Sequence, residues 1–364
     1  MEKSRTHLMP YKTIVVKVGS NVVTTGDGYP DIEQIKNLTE QLAWVKKKGL
    51  QVVLVSSGAV ACGRSVIRIN KKTDEVALRQ QLAAVGQIKL ISQYAHLLAG
   101  HGIVCAQVLV TRADFRDRRH YLNMKNCVTH LLRNQVLPVV NENDVVAVTE
   151  LMFTDNDELS GLIAAMIQAD ALILLTSVDG LYYGNPQDIG AKVIPEVHST
   201  MDLSFVSPGK SQFGRGGMIT KVRMARQLSR IGIAVHIANG RKEHILSRIL
   251  HGVPEGTRFV PQKTTSALKR WVAHSGGFTK GSVVINEGAE AALTATSRAA
   301  SLLPVGIVKV EGQFEKGDII RILSQSGKLL GLGMARYSSE KAAERMGLKG
   351  QPELVHYDYL FLNP

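Results

Sequence analysis

The sequence predicts an α/β fold, a mostly parallel β-sheet sandwiched by helices, followed by a small β-barrel-like domain. Three observations carry that expectation. From Thr13 to about Val260, short runs rich in β-branched residues alternate with helical patterns. These runs are apolar throughout, as in strands covered on both faces. Past Val260 the pattern changes to short strands separated by glycine-bearing turns.

The elements follow in order. "TIVVKV", from Thr13, is the first strand, and a helix begins near Asp31. "QVVLVSS" is the second, followed by helices up to His101, and "GIVCAQVLV" is the third. A helix around Tyr121 to Asn134 leads into "QVLPVV". "ADALILLTS" and "IAVHIA" complete the sheet, with helices between them. The segment "PQKTTSALKRWVAHSGGFTKG" is a polar, basic connector. After it, "GSVVINEGAEAALT", "SLLPVGIVKVEGQFEKGDIIRIL" and "GKLLGLGMARYS" supply short strands and one or two helices. The expected organisation is a first domain over 11–262, a linker over 263–280 and a second domain over 281–358.

At 364 residues the chain has the length of about two domains. Its 45% hydrophobic and 21% charged residues describe an ordinary globular protein. The start, "MEKSRTHLMPYK", has no apolar targeting core, and no later run is long enough for a membrane span, so a cytoplasmic location is expected. Cys62, Cys105 and Cys127 lie far apart without a C-x-x-C pair and read as small buried hydrophobes. The 11 histidines form no metal-ligand spacing, so no protein-built metal site is expected.

Lys and Arg number 44 against 31 acidic residues, a formal charge of +13, which raises nucleic acid, a membrane surface and small anionic substrates as partners. The basic residues are scattered, apart from "RADFRDRRHYLNMK", which reads as a solvated helix start or an oligomer contact.

Sites in parallel sheets lie beyond the carboxyl ends of the strands. Four runs here end in glycine and small polar or charged residues: "KVGSN", "SSGAVACG", "NENDVV" and "TSVDGLY". "KVGSN" reverses the familiar phosphate-loop order, in which lysine follows the glycines. A strand nevertheless delivers Lys17 to its end, and Gly19 and Ser20 offer backbone N–H groups. A snorkelling lysine beside a turn glycine fits the same fragment, which by itself favours that reading. Asn141, Asn143 and Asp144 offer acceptors and donors, while Ser57 and Gly58 offer hydroxyl and N–H groups at a helix start. Each of these alone also reads as a polar turn, and for "NENDV" alone that reading wins.

Taken with "QLAAVGQ", "LVTRADF", "TDNDELSG" and "GRGGMITKV", these segments resemble the amino acid kinase family, and within it the branch that phosphorylates glutamate. The tail, "INEGAEAAL" through "VEGQFEKGD", is similar to a PUA domain. The resemblance covers nearly the whole chain. It implies transfer of the γ-phosphoryl of ATP to the side-chain carboxylate of L-glutamate, the first step of proline biosynthesis, with Mg2+ carried by the nucleotide. Such a reaction asks for positioning and cations around spreading negative charge. The acceptor carboxylate is already a nucleophile, so no Ser/His/Asp device is needed.

The resemblance makes Lys17 and Lys221 the catalytic lysines and Asp157 the carboxylate that orients them, although Asp155 could exchange roles with Asp157, and Asp155 or Asn156 could also cap a helix. It assigns Ser57, Asp144 and Asn156 to the substrate, with Gly58, Asn141 and Asp155 beside them. An anionic Asp144 favours a free α-amine over an acylated one. The nucleotide is expected along Lys17, Gly19, Thr176 and Ser177 and along Arg215, Gly216, Gly217, Met218, Ile219, Thr220 and Lys221. Here the chain departs from the family pattern, with Arg215 and Ile219 where threonine and serine are common and Ser177 where aspartate is common. The resemblance further implies a homo-oligomer, inhibition by L-proline through the "TRADFRDRRH" and "NENDVVAVTELMFTDND" loops, and a reductase that consumes the labile acyl phosphate. Competing readings are a family member with another substrate and an RNA-binding protein. The second rests on the PUA-like tail and the net charge, and the tail shows no aromatic stacking series.

Overall fold

A computed structural model describes residues 11–68, 74–146, 156–184, 190–203, 217–262, 279–295 and 300–362. The chain divides into two compact units: Met1–Asp114 with Leu122–Gln262, and Phe115–Tyr121 with Lys263–Pro364. The basic stretch singled out in the sequence is therefore split, its central Phe115–Tyr121 grouping with the C-terminal unit.

In the first unit, β1 (Thr13–Val18) leads through a short α1 (Ser20–Val23) to α2 (Ile32–Lys47). Next, β2 (Gln51–Ser56) leads through α3 (Ala59–Arg64) and the long α4 (Glu75–Ala99) to β3 (Cys105–Val110). Helices α5 (Arg112–Arg116) and α6 (Arg118–Arg133), which contain most of the Phe115–Tyr121 stretch grouped with the other unit, precede β4 (Leu137–Glu142), and α7 (Asn156–Ile167) precedes β5 (Ala171–Thr176). The unit continues with β6 (Glu196–Val197), α8 (Met218–Arg230), β7 (Ala234–Asn239), α9 (Ile245–Leu250) and β8 (Thr257–Phe259).

Among the described residues these strands form one eight-stranded sheet, ordered β3-β4-β2-β1-β5-β7-β8-β6. Every pairing from β3 to β7 is parallel, and β8 runs antiparallel to β7. The central strands are buried on both faces, which is why they read as unbroken apolar runs: Ile14, Val15, Val16, Val52, Val53 and Leu54 are all fully buried. Edge strand β3 departs from that reading. Leu109 is 38% exposed, and Val104 just before the strand is 67% exposed, because an edge has a neighbour on one side only.

Helix α2 starts where the sequence places it, with Asp31 accepting from the Gln34 N–H as its cap. Helices α3 and α4 touch through glycine. A Cβ on Gly86 would lie 1.8 Å from the Ala59 carbonyl oxygen, and one on Gly63 would lie 2.0 Å from the Leu82 carbonyl oxygen. That backbone contact fixes α4 against the chain leaving β2.

The cysteine expectation needs correction. Cys62 is buried, Cys105 is half-buried and Cys127 is exposed. On α6 the buried stripe is Tyr121, Val128 and Leu132, seven and four residues apart, so Cys127 falls off the apolar face.

The C-terminal unit holds β9 (Gly281–Ile285), α10 (Glu287–Thr294), β10 (Ile307–Gly312), β11 (Ile319–Leu323), β12 (Leu329–Met334), α11 (Ser339–Arg345) and β13 (Leu360–Leu362). The strands form a five-stranded sheet, ordered β10-β9-β11-β12-β13, antiparallel except for β9 with β11. Val283, Ile285, Ile320, Ile322, Leu354 and Val355 make its core. Asn286 and Ser338 cap α10 and α11. No described helix in either unit is long and apolar enough to cross a membrane.

In the first unit the chain crosses from one side of β1 to the other between β4 and β5. The crevice beyond the carboxyl ends of β1, β2, β4 and β5 is the switch point at which a doubly wound sheet binds its ligands.

Candidate active site

Lys17 is the penultimate residue of β1, paired in register with Val55 of β2 and Leu174 of β5. Its side chain runs to the carboxyl end of the sheet, where Nζ lies 2.6 Å from Asp157 Oδ1. The second oxygen of the same carboxylate, Oδ2, lies 2.7 Å from Lys221 Nζ. All three side chains are buried, with Lys17 at 5%, Asp157 at 1% and Lys221 at 9% exposure. Two ammonium groups on opposite oxygens of one carboxylate hold each other at a fixed separation despite their like charge.

Asp157 stands in the first turn of α7, where the helix dipole favours an anion. Lys221 lies in the first turns of α8, whose cap is Gly217; the Gly217 N–H donates to Thr220 Oγ1 at 3.1 Å. Gly19 follows β1, and its N–H donates to the Leu175 carbonyl at 3.0 Å. A Cβ there would lie 3.7 Å from Lys17 Nζ, so glycine keeps the space beside that ammonium open.

Beside this cluster, the Asn156 amide nitrogen reaches three oxygens: Ser56 carbonyl at 3.1 Å, Ser57 Oγ at 3.0 Å and Asn141 Oδ1 at 3.1 Å. The ends of β2, β4 and α7 are tied together at that one amide. Asn141 is fixed further by Gln87 of α4, whose Oε1 accepts from Asn141 Nδ2 at 2.9 Å. Gly58 has φ of +113°, a conformation that glycine adopts without a Cβ penalty, and it turns the chain from Ser57 into α3. Asp144 lies farther along the loop after β4, where Arg79 Nη2 donates to its Oδ1 at 2.8 Å.

On the other side of β1, Thr176 ends β5 and is half-buried, while Ser177 is exposed. The Gly240 N–H donates to the Thr176 carbonyl at 2.8 Å, and Asn239 Nδ2 donates to Asp179 Oδ1 at 3.1 Å. The Asn239 amide, ahead of Lys242, holds the Asp179 carboxyl below its ordinary range. Met218 and Thr220 are half-buried on α8, and Ile219 is 41% exposed. Asp155, Arg215 and Gly216 lie outside the described residues.

The model of the amino acid kinase family matches residues 12–239, and that of the PUA domain matches residues 281–351. The chain belongs to the amino acid kinase family. It is 53% identical over 356 residues to glutamate 5-kinase of Chlorobaculum tepidum, covering 97% of this chain and 98% of that relative. It is 50% identical to glutamate 5-kinase of Bacteroides thetaiotaomicron, covering 97% and 99% of the two chains. Among solved structures, carbamate kinase from Giardia lamblia bound to AMP-PNP superposes with a TM-score of 0.51 at 17% identity, covering 70% of this chain and 99% of that one. UMP kinase from Bacillus anthracis superposes with a TM-score of 0.50 at 14% identity, covering 71% and 99%. These two establish a shared fold.

The amino acid kinase unit thus brings Lys17, Gly19, Ser57, Asn141, Asn156, Asp157 and Lys221 to one crevice. Two residues of α4 were missed in the sequence, Gln87 behind Asn141 and Arg79 against Asp144. Gln87 was quoted within "QLAAVGQ" without a role, and its polarity at the end of an apolar helical run was the available signal. Arg79 carried no such mark, since a basic residue near a helix start reads as solvated.

Proposed function

We propose that this amino acid kinase is a glutamate 5-kinase, transferring the γ-phosphoryl of ATP to the side-chain carboxylate of L-glutamate to give L-glutamyl 5-phosphate and ADP, the first step of proline biosynthesis. The observation that carries it is Asp157 held between Lys17 and Lys221 at the carboxyl end of the sheet. Full-length relatives at 50% identity or more support the same substrate.

In this reading the attacking group is the γ-carboxylate of glutamate, which needs no base. Lys17 and Lys221 follow the phosphoryl group as point charges while it moves between donor and acceptor. Asp157 sets their spacing, and because its carboxylate is already engaged by both lysines, it is a positioning group. Asn156, Ser57, Gly58 and Asn141 hold the amino acid, with Asp144 for its α-ammonium and Asp155 nearby. Gly19, Thr176, Ser177 and the segment from Arg215 through Gly216, Gly217, Met218, Ile219 and Thr220 to Lys221 hold the nucleotide.

Among the described residues no cluster of three His, Cys, Asp or Glu side chains could ligate a metal. Mg2+ is read as entering with ATP, so no side chain of this chain is assigned to hold it. It supplies charge neutralisation when bound. Inhibition by L-proline, a homo-oligomeric state, a cytoplasmic location and hand-over of the acyl phosphate to a reductase belong to the same reading.

The test is ADP formation by the full chain with ATP and Mg2+ across L-glutamate, L-aspartate, carbamate and UMP. Glutamate-dependent turnover is expected, reduced about 10² to 10³-fold in Lys17→Ala and in Lys221→Ala, the scale of losing one transition-state charge contact. Turnover with another acceptor and none with glutamate overturns the proposal.

A further inference from the structure

We infer that Arg79 binds the α-carboxylate of the amino acid substrate, forming with Asp144 a two-charge clamp for its zwitterionic end. The inference rests on the glutamate reading above and names the recognition chemistry of that site.

The Arg79 guanidinium uses one donor on Asp144, Nη2 to Oδ1 at 2.8 Å. Its Nε–H is buried and has no acceptor among the described residues. A buried donor without an acceptor is costly and calls for a partner. With Nη2 on Asp144 and the side chain 33% exposed, the remaining guanidinium donors form a fork suited to a second carboxylate.

The placement is also fixed. Gln80, the next residue of α4, donates from Nε2 to the Val145 carbonyl at 2.8 Å, so two successive side chains of the helix pin the loop that carries Asp144. Farther along the same helix, Gln87 orients Asn141. Helix α4 therefore lines the amino acid end of the crevice, opposite the lysines that serve the phosphoryl end.

Charge balance gives the pair its use. Asp144 alone would attract an α-ammonium and repel the α-carboxylate beside it. With Arg79 the two side chains sum to zero and present one charge of each sign, the complement of an amino acid's backbone groups. Asp144 is 11% exposed and Arg79 33% exposed in their side chains, so solvent weakens the pairing only in part.

The experiment compares the wild-type full chain with Arg79→Gln and Arg79→Lys, using L-glutamate as substrate and two truncated competitors. Glutarate keeps both carboxylates and lacks the amine; 4-aminobutyrate keeps the amine and the reacting carboxylate and lacks the α-carboxylate. Arg79→Gln should raise KM for L-glutamate and the inhibition constant of glutarate about 10 to 100-fold, the scale of a charged hydrogen bond. The inhibition constant of 4-aminobutyrate and KM for ATP should stay unchanged. Arg79→Lys, which keeps the charge and loses the fork, should keep the wild-type melting temperature and fall between. An equal rise for both competitors, or for neither, overturns the inference and leaves the glutamate kinase reading standing. A wild-type protein without glutamate-dependent turnover overturns both.

Discussion

Lys17 and Lys221 come from opposite ends of the kinase unit and meet on the two oxygens of Asp157, at 2.6 and 2.7 Å. One lysine is delivered by a strand and the other by a helix start, so the pair exists only in the folded chain.

Asp157→Asn should be damaging in two ways. It removes the shared carboxylate from two buried ammonium groups, and breaking a buried ion pair costs about 3 to 5 kcal/mol. Urea unfolding should show that loss, and the ADP assay should show a fall in kcat larger than any change in KM for glutamate. A variant with wild-type stability and kcat would mean that the lysines are spaced by other groups.

Gly86→Ala tests the contact between α3 and α4. The added methyl would meet the Ala59 carbonyl at 1.8 Å, so the helices must separate. Overpacking of this kind costs about 1 to 3 kcal/mol. Because α3 continues from Ser57 and Gly58, KM for glutamate should rise more than KM for ATP, which initial-rate kinetics on the two substrates would read.

His236 on β7 gives the fold an acid-sensitive point. It is 3% exposed, its Nε2 shares a hydrogen bond with the Tyr11 hydroxyl at 3.1 Å, and burial, with Arg258 nearby, pushes its pKa from 6.5 down to about 3. Between those values the unfolded chain binds a proton that the folded chain refuses. This contribution is complete above pH 6.5 and is lost as pH falls toward 3, by about 1.4 kcal/mol per pH unit. His236→Gln should flatten that slope in urea titrations from pH 7 to pH 4.5.

The parallel sheet was legible because strands covered on both faces leave no polar alternation, as in Ile14 to Val16 and Val52 to Leu54. The glycine and small polar residues after the strands lie together at the carboxyl rim of the sheet, as their positions after the apolar runs imply. Which of them would meet was less legible. Nothing in the local sequence of "GGMITK" says that Lys221 is 9% exposed, and its place beside Asp157 came from resemblance to a family. Arg79 and Asp144 were separately ordinary, a helix-start cation and a turn anion, and only the packing of α4 on the loop after β4 joins them. Cys127 misled because residue type alone says buried, while the periodicity of α6 puts it outside.

The late arrival of Lys221 also bears on how the protein is made. A ribosome releases the segments holding Lys17, Ser57, Asn141 and Asp157 well before α8, so a chain stopped short of Met218 would hold the acceptor's half of the crevice with one ammonium in place of two. Nascent or truncated chains would then be poor consumers of ATP, and competence for phosphoryl transfer would arise only when the sheet's far half has docked.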